Sequence, residues 1–433
     1  MNNDARVILW GSVIGAVTWI EDREVGVFQY APDFLSSGIQ LAPLMMPLGE
    51  FPCEFPALPR NTFKGLPGLL ADSLPDKFGN AVIDNWIASQ GRTAASFHPV
   101  ERLCYIGSRG MGALEFEPAT LGPPISTSAV EIANLVTLAN QILDERASLG
   151  GVFTGSDDRK VIEDILRVGT SAGGARAKAI LAWNPKTNEF QSGQVDVKAG
   201  FEHWLMKFDG VSNNRDKELA DPMGYGKIEY AYHLMAIEAG IKMAPCRLHH
   251  EGGRSHFMTK RFDRSTRGGK RHMQSLCAIA HYDFKQPAIY SYEQAIQVIR
   301  RLGLPREDLD QQVLRAIFNV VGRNHDDHVK NIAFLMNRQG KWRLSPAFDI
   351  AYAWDPRGEW TSRHQMSVNG KRDKFEREDF IALANLAGIK KARANKMVDR
   401  VIETVRRWPD FAEKAGVANA RVTKIQASQR TNL

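Results

Sequence analysis

The stretch Asn324-His325-Asp326-Asp327-His328-Val329-Lys330-Asn331 is followed by Leu344-Ser345-Pro346-Ala347-Phe348-Asp349. It sets an Asp, an Asn five residues later, and a second Asp eighteen residues beyond that Asn. Phosphoryl transfer from Mg-ATP needs this set of groups: one carboxylate orients the acceptor hydroxyl, while an amide oxygen and a second carboxylate hold magnesium against the phosphates. Asp326, Asn331 and Asp349 are the candidates. A second chemistry competes, because His325, Asp326, Asp327 and His328 are all competent ligands of a hydrolytic metal centre. A bland reading competes as well, since Asp, Asn and His crowd into loops where they satisfy local backbone groups.

The flanking sequence positions these groups. Val313 to Gly322 reads as a buried helix that stops at glycine, so the polar cluster begins on a loop. Ile332 to Leu335 and Trp342 to Leu344 read as strands joined by the turn Asn337-Arg338-Gln339-Gly340, which puts the two acidic groups at opposite ends of one hairpin. Upstream, Gly169-Thr170-Ser171-Ala172-Gly173-Gly174-Ala175-Arg176-Ala177-Lys178 is a glycine-rich loop entering the strand Ala179 to Trp183. Such a loop can lay its amides on phosphates, although it is not a Walker motif. Lys207 lies among apolar neighbours on the strand Trp204 to Phe208 and can reach the α/β-phosphates as a point charge. Lys227 to Ala239 is an amphipathic helix with Ile228, Tyr232, Met235 and Ala239 on one stripe. Its Glu229 either pairs with Lys207 or merely suits the first turn. Phe257 to Arg264 is a strand running into a charged turn, a suitable hinge. The order of glycine loop, strand lysine, helix glutamate, hinge, catalytic loop and metal aspartate is that of a two-lobed kinase.

At 433 residues the chain predicts two or three units. Val7 to Trp10, Val13 to Trp19 and Val25 to Tyr30 read as strands, Asn80 to Ile87 as helical, Pro118 to Ser128 as a linker and Val130 to Leu149 as a helix. A second unit begins near Gly150. Gly107-Ser108-Arg109-Gly110-Met111-Gly112 mimics part of a dinucleotide fingerprint but reads better as a turn, lacking the following helix and acid. From Tyr292 helices dominate, with Met397, Val398, Val401, Ile402 and Val405 on one core face. Cys53, Cys104, Cys246 and Cys277 are scattered, which argues against a zinc site or a disulfide framework. No apolar run reaches the ~20 residues of a membrane span and the N-terminus lacks a signal pattern, so a cytoplasmic protein is expected. The net charge of +7 permits an anionic partner. The densest basic cluster is Lys390-Lys391-Ala392-Arg393 with Lys396, usually a solvated helix face.

The chain resembles the HipA family of serine/threonine kinases, the toxin half of bacterial HipA–HipB toxin–antitoxin pairs. Trp10 to Gly15, Tyr30 to Asp33, Leu74 to Gly79 and Gly107 to Leu114 are similar to the family's N-terminal piece. Ser171 to Lys178, Lys207-Phe208, Lys260 to Arg264, Asn324 to Asn331 and Ser345 to Asp349 are similar to its phosphate loop, ATP lysine, hinge, catalytic and metal motifs. The resemblance implies an α+β, two-lobed protein-kinase-like fold, with a mixed β N-lobe, an all-helical C-lobe and an N-terminal β-rich subdomain. The units would be 1–149, 150–262 and 263–433. It implies ATP and Mg2+ as cofactors and Asp326 as catalytic base. Ser171, Ala172, Gly173, Gly174, Ala175, Arg176, Lys207, His328, Asn331 and Asp349 would surround the nucleotide, with Asn331 and Asp349 on the metal. The backbone of Lys260, Arg261 and Phe262 would bind adenine, and Ser171 would be autophosphorylated. Lys260 stands where the family often has Glu, and Asp327 occupies a variable position with no assigned duty. Implied partners are a dimeric helix-turn-helix antitoxin like HipB, operator DNA through that complex, and a protein substrate such as an aminoacyl-tRNA synthetase. A metal-dependent phosphohydrolase and a non-catalytic corepressor remain as alternatives.

Overall fold

The computed structural model describes residues 3–75, 77–89, 91–120, 131–147, 176–194, 199–211, 223–265 and 269–433. The expected linker falls largely outside them, as do Ser171 to Ala175 of the glycine-rich loop.

The first strands form where β-branched and aromatic residues concentrate. They are β1 (Asp4–Leu9), β2 (Ser12–Ile20) and β3 (Val25–Tyr30), and β4 (Leu114–Glu117) completes an antiparallel sheet in the order β3-β2-β1-β4. Val7, Ile14, Val17 and Phe28 are fully buried beneath it. The helix Pro99–Ile106 packs on this sheet and ends at Gly107, whose φ of 55° a glycine adopts cheaply. The fingerprint-like glycines therefore close a helix and enter β4, the turn the sequence favoured.

A second antiparallel sheet joins β5 (Lys178–Trp183), β6 (Phe190–Ser192), β7 (Glu202–Lys207), β8 (Cys246–Glu251) and β9 (Arg254–Lys260) in the order β6-β5-β7-β9-β8. The helix Tyr225–Glu238 lies against β8 and β9 and buries the stripe of Ile228, Tyr232 and Met235. Beyond Lys260 the chain enters a mostly helical lobe. This lobe also carries β10 (His272–Ser275), β11 (Ala333–Met336) and β12 (Trp342–Leu344) as a small sheet. β11 and β12 are the hairpin anticipated between the two acidic motifs; β10 joins them from elsewhere in the chain. The helix Arg306–Val321 supplies the lobe's core and is capped at Gly322.

The N-terminal unit is not a separate bead. Its sheet shares one hydrophobic core with the helices of the second lobe. Its helices Lys77–Ser89 and Ile132–Ala147 share a smaller core with β5 and β7. One unit thus buttresses both sides of the cleft.

Candidate active site

Lys207 ends β7, directly across the ladder from Lys178 on β5. Its Nζ lies 2.6 Å from Glu229 Oε1 and 2.6 Å from Asp349 Oδ1. The strand lysine, the helix glutamate and the aspartate after the hairpin therefore meet, although 142 residues separate the first from the last. Burial alone would discharge Lys207, but Asp349 and Glu229 outweigh it and hold the ammonium charged well above its usual range. Burial pushes Asp349 upward, and Lys207 and Lys178 reverse the sign, so its carboxyl lies below the ordinary range. Arg176, the first described residue after the glycine loop, reaches Glu229 at 3.8 Å and stacks on the Tyr225 ring at 3.4 Å. Asp349 takes a φ of 53°, a left-handed conformation that Asp tolerates better than most side chains.

Asp326, His328 and Asn331 line the facing loop. Asn331 Nδ2 donates to the Asp326 carbonyl at 2.8 Å, which closes the loop on itself and leaves the amide oxygen without a protein donor among the described residues. His328 Nε2 stands 3.6 Å from Asp326 Oδ1. Desolvation lifts the Asp326 carboxyl above the ordinary range, with Asp349 adding to the effect and His328 opposing it. The Asp326 side chain is 42% exposed at the cleft mouth, so water access tempers that push. A cavity of about 20 Å³ lies between His328, Asn331 and Asp349 and the polar residues Asn324, Gln312 and Arg315 behind them.

Asp327, given no role from sequence, is fully buried beside Asp326. Its oxygens accept from Tyr292 Oη at 2.9 Å and the Gln365 N–H at 2.8 Å, and His364 Nδ1 lies 2.8 Å away. Burial raises it to about 6. His325 is buried too, its ring 4.0 Å from that of His364, and desolvation with His364 beside it presses its pKa down to about 2. The four side chains of the hydrolase reading do not converge: two face the lobe interior. Among the described residues no three His, Cys, Asp or Glu side chains form a metal cluster. One carboxylate and one amide oxygen at the cleft instead suit magnesium, a hard cation that takes its remaining ligands from phosphates and water.

At the hinge the outcome is mixed. The N–H groups of Lys260 and Arg261 already donate to the Pro245 and His203 carbonyls, which leaves the Phe262 N–H without a protein acceptor among the described residues. The Lys260 side chain pairs with Glu202 at 2.6 Å, away from the Lys207 cluster. Arg261 is buried against Asp263, while the Phe262 ring packs 5.6 Å from Phe348, beside Asp349. Sequence reasoning missed Asp263. Its carboxylate accepts from Arg261, from Arg264 and from the Gly112 N–H at 2.8 Å. Only the charged turn read at Arg261-Phe262-Asp263-Arg264 hinted at it.

A family model for the HipA-like C-terminal domain matches residues 170–408, and one for the HipA N-terminal domain matches residues 5–117. No curated protein matches the chain. The fold is similar to that of HipA from Shewanella oneidensis MR-1, solved with HipB and operator DNA, at a TM-score of 0.63 and 16% identity over 98% of this chain and 94% of that one. A Helicobacter pylori proinflammatory kinase, CtkA, matches over 52% of this chain and 92% of its own, with 12% identity and a TM-score of 0.34. Among the described residues no helix is long and apolar enough to cross a membrane.

Proposed function

The chain belongs to the HipA family, and on that premise we propose that it is an ATP- and magnesium-dependent serine/threonine kinase acting as the toxin of a toxin–antitoxin pair. The observation that carries the reading is Lys207 seated between Glu229 and Asp349 at 2.6 Å each, opposite Asp326 and Asn331. Lys207 would hold the α/β-phosphates, with Ser171, Ala172, Gly173, Gly174, Ala175 and Arg176 laid over them and the Phe262 N–H turned to adenine. Asn331 and Asp349 would hold magnesium, which neutralises charge on the phosphates. Asp326 would accept the proton of the substrate hydroxyl as its oxygen bonds to the γ-phosphorus and the bond to the β-phosphate oxygen breaks. His328 would steady the phosphate.

Ser171 would be the autophosphorylation site. A phosphate there adds about −1.5 to −2 charges where the nucleotide phosphates sit, and so switches the kinase off. The protein substrate would be a translation factor such as an aminoacyl-tRNA synthetase. The neutralising partner would be a helix-turn-helix antitoxin dimer bound to operator DNA, as HipB accompanies the Shewanella protein. The exposed Lys390, Lys391 and Lys396 would add salt-dependent contacts to DNA phosphates. The chain's units would be 1–149, 150–262 and 263–433.

The test is incubation of the full chain with radiolabelled ATP, with magnesium and with a chelator, followed by phosphopeptide mapping. Magnesium-dependent label on a peptide containing Ser171 is the expected result. Absence of any transfer, with the nucleotide bound, would favour the corepressor reading.

A further inference from the structure

An open basic cleft is linked to the loop of Asp326 and Asp327 through Arg372, which donates to the carbonyl of His364, the neighbour of Asp327. It has a volume of about 570 Å³ and is lined by Arg363, Lys371, Arg372, Asp373 and Lys374. Several of these charges are already answered. Lys371 pairs with Glu376 and Asp379, Asp373 with Arg430, and Arg372 Nε donates to the His364 carbonyl. Arg363 and Lys374 are exposed and have no acidic partner among the described residues. With Lys371 and Asp373 answered by their partners, Arg363, Arg372 and Lys374 leave the cleft positive.

Its position gives the charge a use. Residues 364 and 365 bond directly to Asp327 through His364 Nδ1 and the Gln365 N–H, each at 2.8 Å, and Asp327 adjoins Asp326. Gln365 also gathers apolar surface. Its side chain donates to the Trp360 carbonyl, and its own carbonyl accepts from the Ala288 N–H at 3.0 Å. Trp360 and Ile289, next to Ala288, are 41% and 58% exposed. The cationic cleft is thus tied by hydrogen bonds to the loop that carries the candidate base, and the exposed Trp360 and Ile289 are attached to the same network through Gln365.

We propose that this cleft docks an acidic segment of the protein substrate beside the residue that receives phosphate. The inference rests on the kinase reading for the word substrate. Guanidinium groups recognise carboxylates in bidentate fashion, and a cleft of this size admits a few side chains rather than a nucleic-acid backbone, which needs a longer track of cations. The rigid tie through Asp327 would let binding in the cleft orient the acceptor hydroxyl at Asp326.

The experiment uses the full chain and a short fluorescent peptide in which one serine is flanked by glutamates. Its counterpart carries glutamines instead. Fluorescence anisotropy at low salt should show the acidic peptide binding more tightly. Arg363→Glu/Lys374→Glu, both at exposed positions, should weaken it by about tenfold while the glutamine peptide is unaffected and the melting temperature is kept. Equal binding of the two peptides, or unchanged binding by the double variant, overturns the proposal. So does displacement of the acidic peptide by a single-stranded oligonucleotide that binds more tightly, since the cleft would then be a nucleic-acid surface. Phosphoryl transfer is not the readout, so failure of the kinase reading leaves this comparison intact.

Discussion

Two aspartates that the sequence placed in one motif pair sit in opposite electrostatic settings. Desolvation raises Asp326, whereas Lys207 and Lys178 overcome desolvation at Asp349 and lower it. Environments that push two carboxyls apart separate a proton acceptor from a permanently ionised ligand. Asp326→Asn keeps the shape and removes the proposed base. Transfer from radiolabelled ATP should fall by about 10²–10⁴-fold, while calorimetry finds ATP affinity retained; wild-type rates in this variant would remove Asp326 from the chemistry. Because the base works only when ionised, wild-type activity should decline with acidification at a pH above the ordinary carboxylate range, and the residual activity of Asp326→Asn should not follow that decline. Asp349→Ala should lose both activity and the magnesium-dependent part of ATP affinity, since Asn331 would be left as the sole protein oxygen at that position. Unchanged Mg-ATP binding in titration calorimetry would reassign the ligand. That these groups come together was legible because the proposed chemistry is written in residue type and spacing. Asp327 was not, because its partners His364 and Gln365 lie 37 and 38 residues further on and no local pattern announces them.

Elements marked by strong periodicity or a clear stop were readable: β1 to β3, the helix ending at Gly322, and the hairpin of β11 and β12. Strand β8 was missed. Cys246-Arg247-Leu248-His249-His250-Glu251 mixes polar and apolar residues with no clean alternation, and it is a strand because it pairs with β9 at the sheet edge. β10 was missed for a related reason, being a short segment held by β11. The loop of Asp326 and Asp327 has little regular structure, so its shape depends on Asp327 accepting from Tyr292 and Gln365 and lying against His364 Nδ1. Asp327→Ala should cost on the order of 3 kcal/mol in urea unfolding, because buried donors lose their acceptor. A loss below about 1 kcal/mol would show that the loop is held otherwise. Asp327 also has a pH signature. Its folded pKa of about 6 lies above the unfolded value near 3.9, so the folded state binds the extra proton and this group's contribution to stability diminishes as pH rises between those values. Asp327→Asn cannot titrate there. The stability of wild type relative to Asp327→Asn should therefore be greater at pH 5 than at pH 7, and an identical gap at both would contradict the assignment.

At the scale of the molecule, the cleft depends on a unit that contributes none of its candidate catalytic groups. The N-terminal sheet packs into the core of the helical lobe, and helices of the same unit pack on β5 and β7. The order of motifs foretold two lobes, but it could not foretell this sharing, since a hydrophobic run does not say which distant run will cover it. The joint is most explicit at Asp263, between β9 and β10. Its buried carboxylate takes two hydrogen bonds from Arg261, one from Arg264 and one from the Gly112 N–H, while Arg264 reaches the Gly110 and Gly112 carbonyls. Burial would raise Asp263, but the two guanidinium groups dominate and hold it far below the usual carboxylate range. A depressed carboxyl contributes stability that is fully present above its unfolded value near 3.9 and is lost only as pH falls through the much lower folded value. Asp263→Ala should thus destabilise by about 3–5 kcal/mol, because two buried cations lose their counterion, and the loss should be constant between pH 6 and pH 8. If the N-terminal unit and the hinge act as one support, ATP affinity at the neighbouring Phe262 should weaken under conditions where the variant is still folded. A variant that unfolds earlier yet binds ATP as tightly as wild type would confine Asp263 to stability. A variant with wild-type stability would mean that Arg261 and Arg264 find other acceptors and that the joint lies elsewhere.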